Sequence, residues 1–292
     1  MKKIVILGCE NSHADSFLAL IREKEEFQNV SVIGVYSNEP EAAERLHERF
    51  GVPVMERYDD AVGKVDGVVI TARHGDLHYK YAKPYIADGV PMFIDKPITI
   101  REDEVIEFMR ALMENGVRVS GGSSLKHDPS VMLLKKEREE SLDGATLSGF
   151  VRAPIDTSEA KYGGFYFYAQ HLVEMVCEIF GRFPLSVTAK QNGAQIHVLF
   201  HYDEYDCVGL FTDKCYRYFV SRMAQRGEHA ISVPTEDIPK WFYGEFKEYH
   251  NLLMGNEQTA TYAALASPVF ILNAIWRSLG SGKEEAVGRL PL

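Results

Sequence analysis

The chain reads as an α/β protein in two parts. A doubly wound parallel-sheet domain is expected over residues 1–122, and an α+β domain with a mainly antiparallel sheet over 123–292. Three observations predict this. Up to about residue 122, short apolar runs alternate with amphipathic segments, the pattern of a parallel sheet covered on both faces. Between 185 and 233, β-rich runs follow one another with no helical segment between them. The aromatics also divide unevenly, with only 10 of the 33 Phe, Tyr and Trp residues in the first 122 positions.

Residues 3–7 form an apolar run that stops at Gly8, and Ser12 opens an amphipathic stretch to Phe27, so strand, glycine turn and helix are expected. Val30–Tyr36 reads as the second strand, and Pro40 to Phe50 as a helix stopped by Gly51. Val65–Thr71 is the third strand, Leu77–Ala87 a helix ended by Gly89, and Pro91–Ile94 the fourth strand, running into Asp95-Lys96-Pro97. Glu102–Glu114 is helical and Val117–Ser120 is one more strand. Helices near Pro129–Glu140 and Tyr168–Phe180 then bracket a strand at Thr146–Pro154. Runs at 185–190, 195–202, 205–212, 215–221 and 229–233 build the second sheet, and helices over 238–254 and 259–279 close the chain.

A length of 292 residues suits two domains, and an apolar fraction of 46% provides for a large core. Lys plus Arg is 32 against 42 for Asp plus Glu, a net charge of -10. That balance repels phosphate backbones and anionic membranes, so nucleic acid and lipid surfaces are poor partners. Cys9, Cys177, Cys207 and Cys215 lack C-x-x-C spacing, and reduced thiols in a cytoplasmic protein are expected. No apolar run reaches 18 residues.

Ligands of open parallel sheets sit at the carboxyl ends of the strands. The loop Gly8-Cys9-Glu10-Asn11-Ser12-His13 is therefore the expected phosphate cradle, or else a tight strand-to-helix turn capped by Asn11 or Ser12. It departs from G-x-G-x-x-G, with Glu10 and His13 at the second and third glycine places. Ser37, followed by Asn38, stands at the end of the second strand, where an acid for the ribose of NAD is usual. Loss of that acid gives a slight lean to NADP over NAD. Lys96, directly after the fourth strand, suits stabilisation of negative charge on a substrate oxygen, or is a solvated strand end. Phe165-Tyr166-Phe167-Tyr168 lines either a pocket, with Tyr168 as a substrate contact, or the core. No metal site is expected: His197 and His201 lie about 13 Å apart along a strand, and Gly75 argues against a helix joining His74 to His78.

The tripeptide Asp95-Lys96-Pro97 after a doubly wound domain, and Gly163-Gly164 leading to His171 and a helix ending at Gly181, resemble the Gfo/Idh/MocA family of NAD(P)-dependent oxidoreductases. The resemblance runs on through Gly122 to Pro129 and Leu253-Met254-Gly255-Asn256, covering essentially the whole chain. It implies a Rossmann-like first domain and hydride transfer between NAD(P) and a secondary alcohol or ketone of a sugar, polyol or related substrate. It matches Lys96 to the family's substrate-polarising lysine, with Asp95 replacing Glu beside the cofactor. His171 matches the general base, a role that suits an imidazole titrating near neutrality; a buried structural histidine is the alternative. Thr71, Arg73 and His78 would border the cofactor, and Lys126 would offer a second cation to substrate or stand as a solvated charge. Phe167 replaces the family's aspartate, and Glu174 is expected to orient His171. Family members associate through the second sheet, so a homodimer or homotetramer is implied. Because Glu10, Ser37 and Phe167 all depart together, a catalytically impaired NAD(P)- or sugar-binding sensor is the rival reading.

Overall fold

Strands β1 (Lys2–Leu7), β2 (Val30–Tyr36), β3 (Gly67–Ile70), β4 (Met92–Asp95) and β5 (Val119–Gly122) pair in the order β2-β1-β3-β4-β5, all parallel. This computed structural model describes residues 1–156, 160–213 and 215–291. Strands β3, β4 and β5 are buried along their whole length, which is why, Asp95 at the end of β4 apart, their sequences are apolar or small instead of alternating. The intervening helices are α1 (Ser12–Glu23), α2 (Pro40–Phe50), α3 (Asp76–Ala82) and α4 (Glu102–Glu114). Helix α2 starts on Pro40 and stops at Gly51, whose φ of 72° is a conformation that glycine adopts without a Cβ penalty. The expected helix over 77–87 divides into α3 and a 3-10 turn at Lys83–Asp88, because Pro84 has no N–H to continue the ladder.

The strand order reverses between β1 and β3. The chain leaves β1 for β2 on one side, then crosses to β3 on the other, which makes the carboxyl ends of β1 and β3 the switch point of the sheet, the place where open α/β sheets take their ligands. Below it, Phe17 meets Phe93 edge-on at 5.0 Å and Phe27 meets Phe246 at 4.8 Å.

The second sheet comprises β6 (Thr146–Ile155), β7 (Ser186–Asn192), β8 (Gln195–His201), β9 (Asp206–Asp213), β10 (Tyr218–Ala224), β11 (Gly227–Val233) and β12 (Glu285–Ala286). The order is β11-β10-β6-β9-β8-β7-β12. All pairs are antiparallel except β6 with β9, which run parallel from Phe150 opposite Val208 to Ile155 opposite Asp213. Helices α5 (Pro129–Glu139) and α6 (Phe165–Phe180) precede or interrupt these strands, and α6 begins three residues earlier than the sequence suggests. Helix α6 lies on the buried face formed by Val151, Ala153, Phe200, Phe211 and Val220. Gly209 permits this approach, since a Cβ there would fall 2.9 Å from the Leu172 side chain. Arg222 points inward from β10, 1% exposed, and is satisfied by Asp143 at 2.7 and 2.8 Å and by Thr146 at 2.9 Å.

The chain ends with α7 (Ile238–Leu253) and α8 (Tyr262–Ser281). Here the contiguous division at residue 122 needs correction. Phe242–Leu265 pack with the first unit, together with Met1–Thr99 and Asp103–Gly122, whereas Ile100–Glu102, Ser123–Trp241 and Ala266–Leu292 form the second. The apolar stripe Phe246, Tyr249 and Leu253 of α7 is buried in the core of the parallel sheet. Helix α8 is the one helix among the described residues long and apolar enough to cross a membrane, and 67% of its apolar window is buried inside the protein.

Candidate active site

The first unit gathers its candidate residues around the switch point. Gly8 has φ of 85°, and a Cβ on it would lie 2.3 Å from the Ala72 backbone, so only glycine lets the two loops pass this closely. Thr71 is fully buried and ties them together, its hydroxyl donating to the Gly8 carbonyl and its N–H to Leu7 at 2.8 Å. Asn11 caps α1 by accepting from the His13 N–H at 2.9 Å, and its amide donates to Asp95 at 3.1 Å. Ser12, the first residue of α1, is exposed.

Glu10 is half-buried, with its carboxylate between the ends of two strands. Oε1 accepts from the Ser37 hydroxyl, and Oε2 accepts from the Arg73 N–H at 3.2 Å. Ser37 is itself buried and accepts from the Glu39 N–H at 3.0 Å, while Asn38 is exposed. These residues test whether the switch point suits a dinucleotide. The turn at Gly8 and the N-terminus of α1 suit an anionic group. The Glu10 carboxylate suits hydroxyl donors and opposes phosphate.

Asp95 ends β4 with no exposure, and Lys96 follows at 5% exposed. Asp95 accepts from the Lys96 N–H at 2.6 Å and lies 3.0 Å from Nδ1 of His13. Glu245 of α7, also with no exposure, places Oε2 3.8 Å from the same nitrogen. Burial pushes the Asp95 carboxyl up, but the His13 imidazole and the Lys96 ammonium outweigh it and hold the group below the usual carboxylate range. For Lys96, burial lowers the pKa below the ordinary lysine value, with Asp95 and Glu245 opposing and Arg73 reinforcing that shift.

Ligating atoms of His13, Asp95 and Glu245 fall within 4.8 Å of one another, spacing that would suit a cation. Lys96 already brings positive charge to the two carboxylates, so the group reads as a buried ionic cluster around a lysine. Sequence reading missed Glu245. Its signal is an acid placed among Phe242, Phe246 and Tyr249 on the apolar stripe of a helix.

Two expected cofactor residues turn elsewhere. His78 is fully buried, with Nε2 2.8 Å from the Ala72 carbonyl and Nδ1 3.3 Å from that of Ile98, which gives the ring a structural part. The His13 ring packs edge-on to Phe242 at 4.8 Å, leaving its backbone at the start of α1 for any ligand.

In the second unit, α6 carries His171, 9% exposed. Its Nδ1 is 2.7 Å from the hydroxyl of Ser123, which also accepts from the Leu125 N–H at 3.3 Å. A serine hydroxyl suits either imidazole tautomer, because it donates to a bare Nδ1 or accepts from a protonated one. The expectation that Glu174 orients this ring is corrected. Glu174 accepts instead from Arg182 at 2.9 Å and from Gln170 at 3.0 Å, with the Ser123 N–H at 3.5 Å. Ser123 was missed because a serine after a strand ordinarily signals only a turn or cap.

Tyr168 and Tyr218 flank the imidazole, with ring centroids at 6.0 and 6.3 Å. Phe167 is 4% exposed and packs against Tyr168 at 4.8 Å and Tyr162 at 5.9 Å, so an apolar wall stands where the family has a carboxylate. Lys126 is half-buried and contributes, after Arg182 and Lys135, to keeping the Glu178 pKa low against the effect of burial.

Residues 2–123 match the family model described as the oxidoreductase family with an NAD-binding Rossmann fold, Gfo/Idh/MocA. No curated protein matches the sequence. Among solved structures, the myo-inositol dehydrogenase of Corynebacterium glutamicum is similar over 100% of both chains, with a TM-score of 0.84 and 15% identity. The scyllo-inositol dehydrogenase of Lactobacillus casei is similar over 98% of each chain, also at 0.84 and 15%. GenD2 from gentamicin A biosynthesis, solved in complex with NAD, is similar over 98% of this chain and 96% of its own, at 0.84 and 18%. At such identities the likeness shows a shared fold.

Proposed function

We propose that the chain, whose residues 2–123 match the model of the Gfo/Idh/MocA oxidoreductase family, transfers hydride between NAD(P) and a secondary alcohol or ketone of a sugar, polyol or related compound. The observation that carries the proposal is Lys96: a lysine 5% exposed, at the carboxyl end of a central parallel strand, with two buried carboxylates favouring its charged form. A cation held this way is a preorganised donor for an oxygen on which negative charge develops.

When bound, the nicotinamide supplies the acceptor or donor of hydride. Lys96 hydrogen-bonds the substrate oxygen and stabilises its alkoxide character. His171 takes the hydroxyl proton during oxidation and returns it during reduction, while the Ser123 hydroxyl adjusts to the ring tautomer. Tyr168 beside the imidazole and Lys126 are assigned to substrate binding. The similarity to two inositol dehydrogenases supports a polyol as the substrate class.

Incubating the protein with cyclic polyols and aldoses plus each oxidised cofactor, and following nicotinamide absorbance, tests the proposal. Turnover of at least one polyol is expected. Tight cofactor binding with no turnover of any would favour the rival reading, a sensor, for which the apolar wall at Phe167 is the supporting observation.

Association as a homodimer or homotetramer through the second sheet is also proposed. Leu147 and Met223 are 50% and 46% exposed on adjoining strands, and light scattering should return two or four times the 33.0 kDa chain mass. A cytoplasmic location is proposed on the four free cysteines.

A further inference from the structure

Glu10 is an unusual residue at the second glycine place of a nucleotide loop, and its surroundings give it a specific role. Its side chain reaches from the loop after β1 to Ser37, the residue just past β2 where the acid that holds an adenosine ribose is usually found. The direction of the hydrogen bonds is fixed. Ser37 receives the Glu39 N–H at 3.0 Å, so its single hydroxyl proton goes to Glu10 Oε1. Oε2 receives the Arg73 N–H at 3.2 Å. Two donors, one just past β2 and one just past β3, thus hold a carboxylate beside Ser37, where the second strand offers no acid of its own.

Each carboxylate oxygen accepts more than one hydrogen bond, so Glu10 retains capacity for hydroxyl donors. The nearby cations on α2 are committed to other groups. Arg45 donates to the Cys9 carbonyl at 2.9 Å and to Asp15 at 3.2 Å, and Arg49 donates to Asp15 at 2.8 Å. The Arg73 charge is felt at Lys96. A diol meets complementary acceptors here, whereas a phosphate meets a fixed negative charge.

We propose that Glu10 is the receptor for the adenosine ribose diol, a carboxylate delivered by the first loop in place of the missing acid at Ser37, and that it selects NAD(H) over NADP(H). This deepens the oxidoreductase reading and rests on it. Ser37 alone leans towards NADP; the carboxylate bonded to it reverses that preference.

Binding to the 292-residue protein, followed by calorimetry and NADH fluorescence, tests the proposal without any need for turnover. Wild-type protein should bind NADH at least about tenfold more tightly than NADPH, and ADP-ribose more tightly than 2′-phospho-ADP-ribose by a similar factor. Glu10→Gln keeps the volume and removes the charge. It should weaken NADH about tenfold and leave NADPH unchanged or tighter, with an unaltered melting temperature to show that the fold persists. Equal affinity of the wild type for the two fragments would overturn the proposal, and that comparison needs no variant. Tighter NADH binding by both Glu10→Gln and Glu10→Gly would also overturn it, identifying Glu10 as an obstruction to the dinucleotide. Failure of the wild type and both variants to bind any of the four compounds would overturn the oxidoreductase reading as well.

Discussion

The two units hold their candidate catalytic side chains by opposite means. Lys96 stands among charges: Asp95 beside it, Glu245 from α7, and His13 between the two carboxylates. His171 sits on a helix against a neutral hydroxyl, while the nearby acids Glu174 and Glu178 are taken up by Arg182 and Lys135. A group that must stay charged while buried needs fixed counter-charge. A group that must gain and lose a proton is better served by a partner able to donate or accept without itself ionising.

The largest effect should come from removing the cation. Lys96→Met is expected to lower kcat by about a hundred- to a thousandfold. NADH affinity, measured by fluorescence, should stay within about threefold of wild type. Comparable losses in both would mean that the lysine serves the cofactor.

Next, His171→Ala should cost about a hundredfold in oxidation rate. The base must be unprotonated to act, so wild-type oxidation should fall off on the acid side, and the variant profile should lack that limb. A slope that survives in the variant would assign the proton to another group.

A smaller, sharper contrast separates Ser123 from Glu174. Ser123→Ala should reduce kcat about tenfold and move the limb of the pH profile, with Ser123→Thr restoring both. Glu174→Gln should lower the melting temperature, because Arg182 loses a buried partner, yet leave that limb in place. If Glu174→Gln shifts the limb and Ser123→Ala does not, the carboxylate orients the ring after all.

The smallest effect concerns stability against pH. Burial lowers the His78 pKa in the folded protein, outweighing Asp95 and the carbonyls that favour the charged ring. The unfolded chain therefore binds the proton more readily than the folded one. Stability contributed by a neutral His78 is full above about pH 6.5 and falls as pH drops from there towards the folded-state value. Asp95 has the usual carboxylate sign, so its contribution is present above about pH 4 and lost at lower pH. Thermal melts between neutrality and mild acid should show the first slope, and His78→Gln should flatten it.

Much of this was legible from residue order. The strand of Val30–Tyr36 and the helices of Pro40–Phe50 and Glu102–Glu114 fall where their apolar periodicity and end signals put them, because these are local properties of the chain. Lys96 and His171 were singled out by the segments around them. Glu245 was not, since a helix pattern tells which face is apolar but not which core receives it, and the assignment of Phe242–Leu265 to the first unit is likewise a matter of long-range packing. The parallel pairing of β6 with β9 escaped for the same reason: strands can be read singly, whereas partners are chosen by the whole sheet.

The altered loop shows the division most clearly. From sequence, Glu10 and Ser37 were two separate departures from a nucleotide-binding pattern. In the fold they are bonded to each other across 27 residues of chain. Sequence alone determined the α/β class, the strand-end lysine, the α6 histidine and the net charge of -10 that argues against nucleic acid. Tertiary structure decided which carboxylate balances Lys96, which hydroxyl holds His171 and where the Glu10 charge is spent. Periodicity and propensity act over a few neighbouring residues. Ion pairs and hydrogen bonds between distant segments depend on distances that exist only once the chain has folded.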